Sequence, residues 1–179
     1  MGQLIVVDWD PTWANTAAVV TAELGSALPV GSWQQVEHIG STSVPGLAAK
    51  PVIDLMAAAV DLDRFGHVAT RHLSPLGYAL TPTGMTNRLF FRRAAGATPT
   101  VHLHVVPASS WSTQNERILR DFLRTHPRAV GRYGDLKRRL AAGLEDPLAY
   151  TRAKTELIQE LVDQARAELG LPLVAVWPE

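Results

Sequence analysis

The chain contains no cysteine. Disulfides, thiolate zinc sites and cysteine nucleophiles are therefore excluded. It carries no excess charge of either sign, because 17 lysines and arginines balance 17 aspartates and glutamates. A broad basic field for wrapping nucleic acid is not expected, although a balanced total still permits a local basic pocket. No run of about 18 apolar residues occurs, so no membrane-spanning helix is expected. The opening stretch MGQLIVVDWDPTW lacks a basic leader and meets acid at Asp8, which argues against a secretory signal. Cytoplasm is the expected compartment. What remains is 179 residues, 46% hydrophobic and 19% charged. That composition belongs to a globular chain with a substantial core.

Leu4 to Val7 is short and apolar, and predicts a first strand or an extended arm. Asp10 and Pro11 predict the start of a helix over 11–25, with Trp13, Ala17, Val20 and Leu24 on one face. Ser32 to Ile39 and Val52 to Val60 read as strands, the second apolar throughout except for Asp54. Asp61 or Asp63 suits the cap of a helix to Leu73, and Leu76 to Leu80 a further strand. Arg88 to Arg92 and Thr100 to Val106 predict a hairpin around AAGATP. Three helices are then expected. Ser109 or Ser110 would cap Trp111 to Thr125, Pro127 would open a helix to Ala142, and Asp146-Pro147 a long one to Leu169. The final GLPLVAVWPE reads as a tail docked through Trp177. The order implies one α/β (α+β) domain over 1–179: a mixed core at 4–108, a helical block at 109–169 and a tail at 170–179.

The stretch EHIGSTSVPGLAAKPVIDLM carries the densest chemistry. Gly40 permits a sharp turn after a strand, and the hydroxyl and amide groups of Ser41 and Thr42 suit a phosphate oxygen. Lys50 adds a point charge. The competing reading is a hydroxyl-rich turn bent at Pro45-Gly46. Asp54 lies inside an apolar run and therefore needs a partner, a metal or an open cleft. Met56 shares its face and is a poor ligand for a hard cation, so a D-x-D carboxylate pair is missing. His102 and His104 share a strand face and suit acid–base work or a transition metal, or hydrogen bonds to Glu37 or Asp54. An inward Arg88 would pair with phosphate or carboxylate, unless it serves as an edge-strand charge. Arg120 and Arg124, Tyr133 and Lys137, and Tyr150 and Lys154 are each four apart on helices. They predict a basic and phenolic lid over the sheet, or else solvated faces.

These residues resemble the GrpB family of small bacterial proteins. The resemblance rests on VDWDPTW, on EHIGSTSVPGLAAKPVIDL from Glu37, on RLFFRR from Arg88, on HLHVV from His102, on LRDFLRTHP from Leu119 and on YTRAK from Tyr150. It spans roughly residues 4–165. It implies a nucleotidyltransferase-like mixed sheet with flanking helices. It also implies a pocket for a nucleotide-like or other anionic small molecule, and group transfer as the reaction class. Asp54, His102 and His104 would be the catalytic residues. Asp54 with His104 would hold a divalent metal such as magnesium, manganese or zinc. Gly40, Ser41, Thr42, Lys50, Arg88, Arg120, Arg124, Tyr150 and Lys154 would bind the anion, with Glu37 and His38 in support. The same resemblance leaves two rivals: a non-catalytic binding or chaperone-like module, and a metal-dependent hydrolase or ligase using Asp54, His102 and His104.

Overall fold

The computed structural model describes residues 5–85, 87–93 and 99–176. Five strands, Gln35–Ile39 (β1), Val52–Ala59 (β2), Tyr78–Leu80 (β3), Leu89–Arg93 (β4) and Thr100–Pro107 (β5), form one sheet in the order β1-β2-β5-β4-β3. Only β2 and β5 run parallel, so the sheet is mixed. Among the described residues the α-helices are Thr12–Ala27 (α1), Leu62–Leu73 (α2), Asn115–Thr125 (α3), Pro127–Gly143 (α4), Pro147–Arg152 (α5) and Thr155–Glu168 (α6). The mixed α/β class expected from the sequence is the one observed. Val7 bridges Ala49 as a short arm. Leu4, the hairpin tip at 94–98 and Trp177 lie outside the described residues.

Local chemistry explains most boundaries. Asp10 accepts from the Thr12 amide and opens α1. Asp61 accepts from the Arg64 amide, and Asp146 from the Leu148 and Ala149 amides. Each carboxylate satisfies amides that a helix start leaves unpaired. Four expectations need correction. The strand before Ile39 begins at Gln35, because Ser32 is held in a turn on the Pro29 carbonyl. Ser74–Leu76 is a 3-10 turn closed by Gly77 at φ 82°, and the shortened β3 begins at Tyr78. Ser109 and Ser110 do not cap α3: they lie in a 3-10 segment, Ala108–Thr113, with Ser110 donating back to Pro107. The long last helix is broken between Arg152 and Thr155, and the break sets Lys154 against the Tyr150 ring.

The two faces of the sheet differ. On one, Ile53, Leu55, Ala57, Phe91, Val101, Leu103 and Val105 bury against Trp13, Ala17, Val20 and Leu24 of α1 and Phe65, Ala69 and Leu73 of α2. The side of α1 expected to be apolar is thus the side that is buried. Each large side chain fully buried there contributes roughly 1.5–3 kcal/mol. The other face has a small apolar patch of Ile39, Met56, Ala58, Val106 and Trp111. The helical block keeps a core of its own, in which Ile118, Phe122, Tyr133 and Leu161 meet Val44 and Leu47 of the loop after β1. Polar side chains fill the space between that core and the sheet.

Candidate functional site

Strand register assembles the acid–imidazole group. Asp54 lies opposite His102, and Met56 opposite His104, across the parallel β2–β5 pair. Alternation then puts Asp54, Met56, His102 and His104 on one face. Asp54 Oδ1 is 3.0 Å from His102 Nδ1 and 3.9 Å from His104 Nε2. The Phe90 ring from β4 packs against both imidazoles, at 5.1 and 4.9 Å between centroids. Arg88 sits 3.4 Å from His104 Nδ1 and can only donate, which assigns the His104 proton to Nε2, toward Asp54. Burial would raise the Asp54 pKa, but the hydrogen bonds and charge of His102 and His104 prevail and hold it at about 2.

Gly40 makes room for this carboxylate. Its φ is 70°, and a Cβ placed there would come within 2.9 Å of Asp54 Cβ. No other residue fits both the dihedral and the space. The chain then enters the short turn Ser41–Ser43. Thr42 donates to the Val52 carbonyl and bonds His38 Nε2 at 2.9 Å, which ties β1 to the start of β2. Burial lowers the His38 pKa to about 4, with Arg124 and Arg120 assisting against Asp54, so the ring is neutral at pH 7. Thr42 and His38 therefore hold the loop in place.

Three lysines converge beside Ser41. Lys137 of α4 is 2% exposed, lies 2.6 Å from Ser41 Oγ and donates to the Ala48 carbonyl at 2.8 Å. The Tyr133 hydroxyl also bonds Ser41. Lys50 and Lys154 lie 4.2 and 4.3 Å from the centroid of the buried Tyr150 ring. Among the described residues no carboxylate forms an ion pair with any of the three. Burial lowers all three pKa values. The neighbouring charge of Lys50 adds to this at Lys154, which falls to about 8, with Asp54 opposing. Ser41, Thr42, Lys50, Asp54, His102, Lys137, Tyr150 and Lys154 line one cleft of about 140 Å³.

The arginines expected to bind an anion are placed otherwise. Arg88 pairs with Glu116 and donates to Gln114 at 2.9 Å. Arg120 pairs with Glu37 at 2.6 Å and with Asp121 at 2.7 Å, and donates to the His38 carbonyl. Arg117 takes the other side of Glu37 and lies over the Trp111 ring. Arg124 donates to the Ser43 carbonyl. Sequence reasoning placed Lys137 in the expected lid but not among the anion-binding residues, and left Arg117 and Glu116 without a role at the site. The Tyr133/Lys137 spacing was a usable signal for the first. Nothing local marks Arg117 and Glu116, whose partners lie 80 and 28 residues away.

A mixed five-stranded sheet, one face sealed by two helices and the other meeting a helical block across a lysine-lined cleft, defines a class of small α/β protein. Within that class the chain belongs to the GrpB family, whose model, described as GrpB protein, matches residues 3–164. A UPF0157 protein of Pseudomonas aeruginosa is 35% identical, over 94% of this chain and 70% of its own length. One from Halalkalibacterium halodurans is 32% identical, over 92% and 83%. The crystal structure of conserved protein GrpB from Enterococcus faecalis superposes with a TM-score of 0.83 at 27% identity, covering 93% of this chain and 99% of that one. Among the described residues no helix is long and apolar enough to cross a membrane.

Proposed function

We propose that this GrpB-family chain binds a small phosphate- or carboxylate-bearing molecule in the cleft between β2 and the helical block. One observation carries the reading: Lys50, Lys137 and Lys154 gather there without a carboxylate partner, while the one acid present, Asp54, is engaged by His102. Gathering like charges in a half-buried place is unfavourable unless an anion offsets it. Ser41 adds a hydroxyl, and Lys154 a cation at the break between α5 and α6.

The chemistry this arrangement supports is proton transfer during group transfer. With Asp54 ionised, His102 presents its Nδ1–H to the carboxylate, and the basic position of the neutral ring is then Nε2. Asp54 orients the ring and stabilises the charge that appears when Nε2 takes a proton from a hydroxyl nucleophile. Lys154 and Lys50 neutralise charge on the transferred group. A two-metal site does not fit the side chains present. Met56, fully buried in its apolar patch, takes the place of a second acid. The three lysines beside Asp54 oppose a divalent cation. Among the described residues no group of three or more histidines, aspartates and glutamates is disposed to hold a metal. Met56 is also the observation that favours the second reading, a binding module without turnover.

Calorimetry with phosphate, pyrophosphate and ATP, each with and without magnesium, manganese or zinc, tests both readings. Binding that weakens about tenfold in Lys154→Gln supports the anion site, a charge-assisted contact being worth roughly 1.5–3 kcal/mol. Binding indifferent to Lys50→Gln and Lys154→Gln would sink it. Asp54→Asn that keeps binding while abolishing turnover separates enzyme from module.

A further inference from the structure

We infer that the ligand of this cleft is an amphiphilic anion, with its phosphate or carboxylate head among the lysines and an aliphatic body in an adjoining apolar chamber. The inference rests on the anion-binding reading above and adds the chemical class of the ligand. A second cavity, of about 200 Å³, lies between α3, α6 and the loop after β1. Val44, Leu47, Leu119, Leu123, Ile158 and Val162 form its apolar wall. It shares Ser41 and Lys154 with the lysine cleft, so the two cavities meet at those side chains. Together they reach the lower end of the range for small-molecule sites, roughly 300–1,000 Å³.

Most polar side chains on the chamber wall already have a partner within the protein. Arg120 is held by Glu37 and Asp121, and Glu116 by Arg88. Asn115 Oδ1 accepts from Arg166 at 2.7 Å. The Tyr133 hydroxyl is taken by Ser41, and Thr151 is also partnered. A nucleobase entering this chamber would leave its own donors and acceptors unmatched, which is costly when buried. A hydrocarbon body has no such groups and gains from burial. Lys154 is the wall's cation without a carboxylate partner among the described residues, and it stands at the junction, where the head of such a molecule would leave the apolar chamber.

The test is calorimetry on the full chain with ethyl, butyl, hexyl and octyl phosphate, with AMP and with octanoate. Affinity should rise about three- to fourfold per added methylene and then level off as the chamber fills. AMP should bind no more tightly than ethyl phosphate. Octanoate set against octyl phosphate shows which head the lysines prefer. Ile158→Trp should flatten the series to the ethyl phosphate value while ethyl phosphate binding persists. Leu119→Trp serves the same end should the first variant fail to fold, as read by circular dichroism. A series flat with chain length in the unaltered protein, but still sensitive to Lys154→Gln, overturns the amphiphile and leaves the anion site standing. Chain-length dependence that survives both tryptophan variants overturns it as well. Failure of every phosphate and of octanoate to bind overturns the anion reading and this one together.

Discussion

The arginines and the lysines that face the sheet differ in whether a carboxylate meets them. Arg88, Arg117 and Arg120 each have an acid: Glu116 for the first, and Glu37 shared by the other two. Lys50, Lys137 and Lys154 have hydroxyls, a carbonyl and aromatic rings. The arginine seam is neutralised within the molecule and fastens α3 to β1. The lysine cleft, only a few residues away in space, is left positive. Planar guanidinium groups suit fixed bidentate pairs such as Arg117 on both Glu37 oxygens. Ammonium groups on flexible stems suit a guest that comes and goes. Placement and residue type therefore separate the cations that have an acid partner from those that have none among the described residues.

Breaking the seam should have the largest effect. Glu37→Ala leaves the buried Arg120 and its neighbour Arg117 without their shared acid, and urea unfolding should show a loss of about 3 kcal/mol. Next comes the glycine beneath Asp54. Gly40→Ala forces a Cβ against that side chain at a positive φ, and a loss of about 2 kcal/mol is expected by thermal or chemical unfolding. On the lysine side, Lys154→Gln should not lower the unfolding midpoint, while weakening phosphate binding about tenfold by calorimetry. An equal stability loss in Lys154→Gln and Glu37→Ala would erase the distinction between the two groups.

The effects of pH come last, and their signs sharpen the contrast. The folded-state pKa of Lys154 is lowered to about 8 from 10.5. Between those values the unfolded chain binds more protons, so stability from this group rises with pH over that window. Anion affinity should move the other way and fade above pH 8, as Lys154 loses its charge. Asp54 is depressed to about 2 from 3.8. Its stabilisation is present above pH 4 and lost as pH falls toward 2. Melting curves and phosphate titrations across pH 7 to 10 should therefore slope in opposite directions.

The outline of the fold was legible because its signals are local. The apolar run from Val52 to Ala59, the apolar face of α1 and the acidic caps at Asp61 and Asp146 are short-range patterns, and the structure follows them. The break at Ala153-Lys154 was not legible. The sequence there has no glycine or proline, and the turn is associated with Tyr150 and Lys154 packing together. Among the site residues, spacing put His102 and His104 on one strand face and Asp54 on a face of its own strand, and the β2–β5 register made these one surface. The fate of Arg88, Arg120 and Arg124 could not be read, because their partners Glu116, Glu37 and Ser43 come from other elements.

The sequence by itself determined most of the strands and helices and the GrpB resemblance, and it singled out Gly40, Ser41 and Asp54. Periodicity and turn chemistry act within a few residues, so they can be read along the chain. Only the tertiary structure decided that the arginines are spent on internal acids, that Lys137 reaches Ser41 from 96 residues away, and that an apolar chamber opens beside the lysines. Charge pairing and cavity shape depend on which elements pack together. They follow from distances across the fold that no local pattern records.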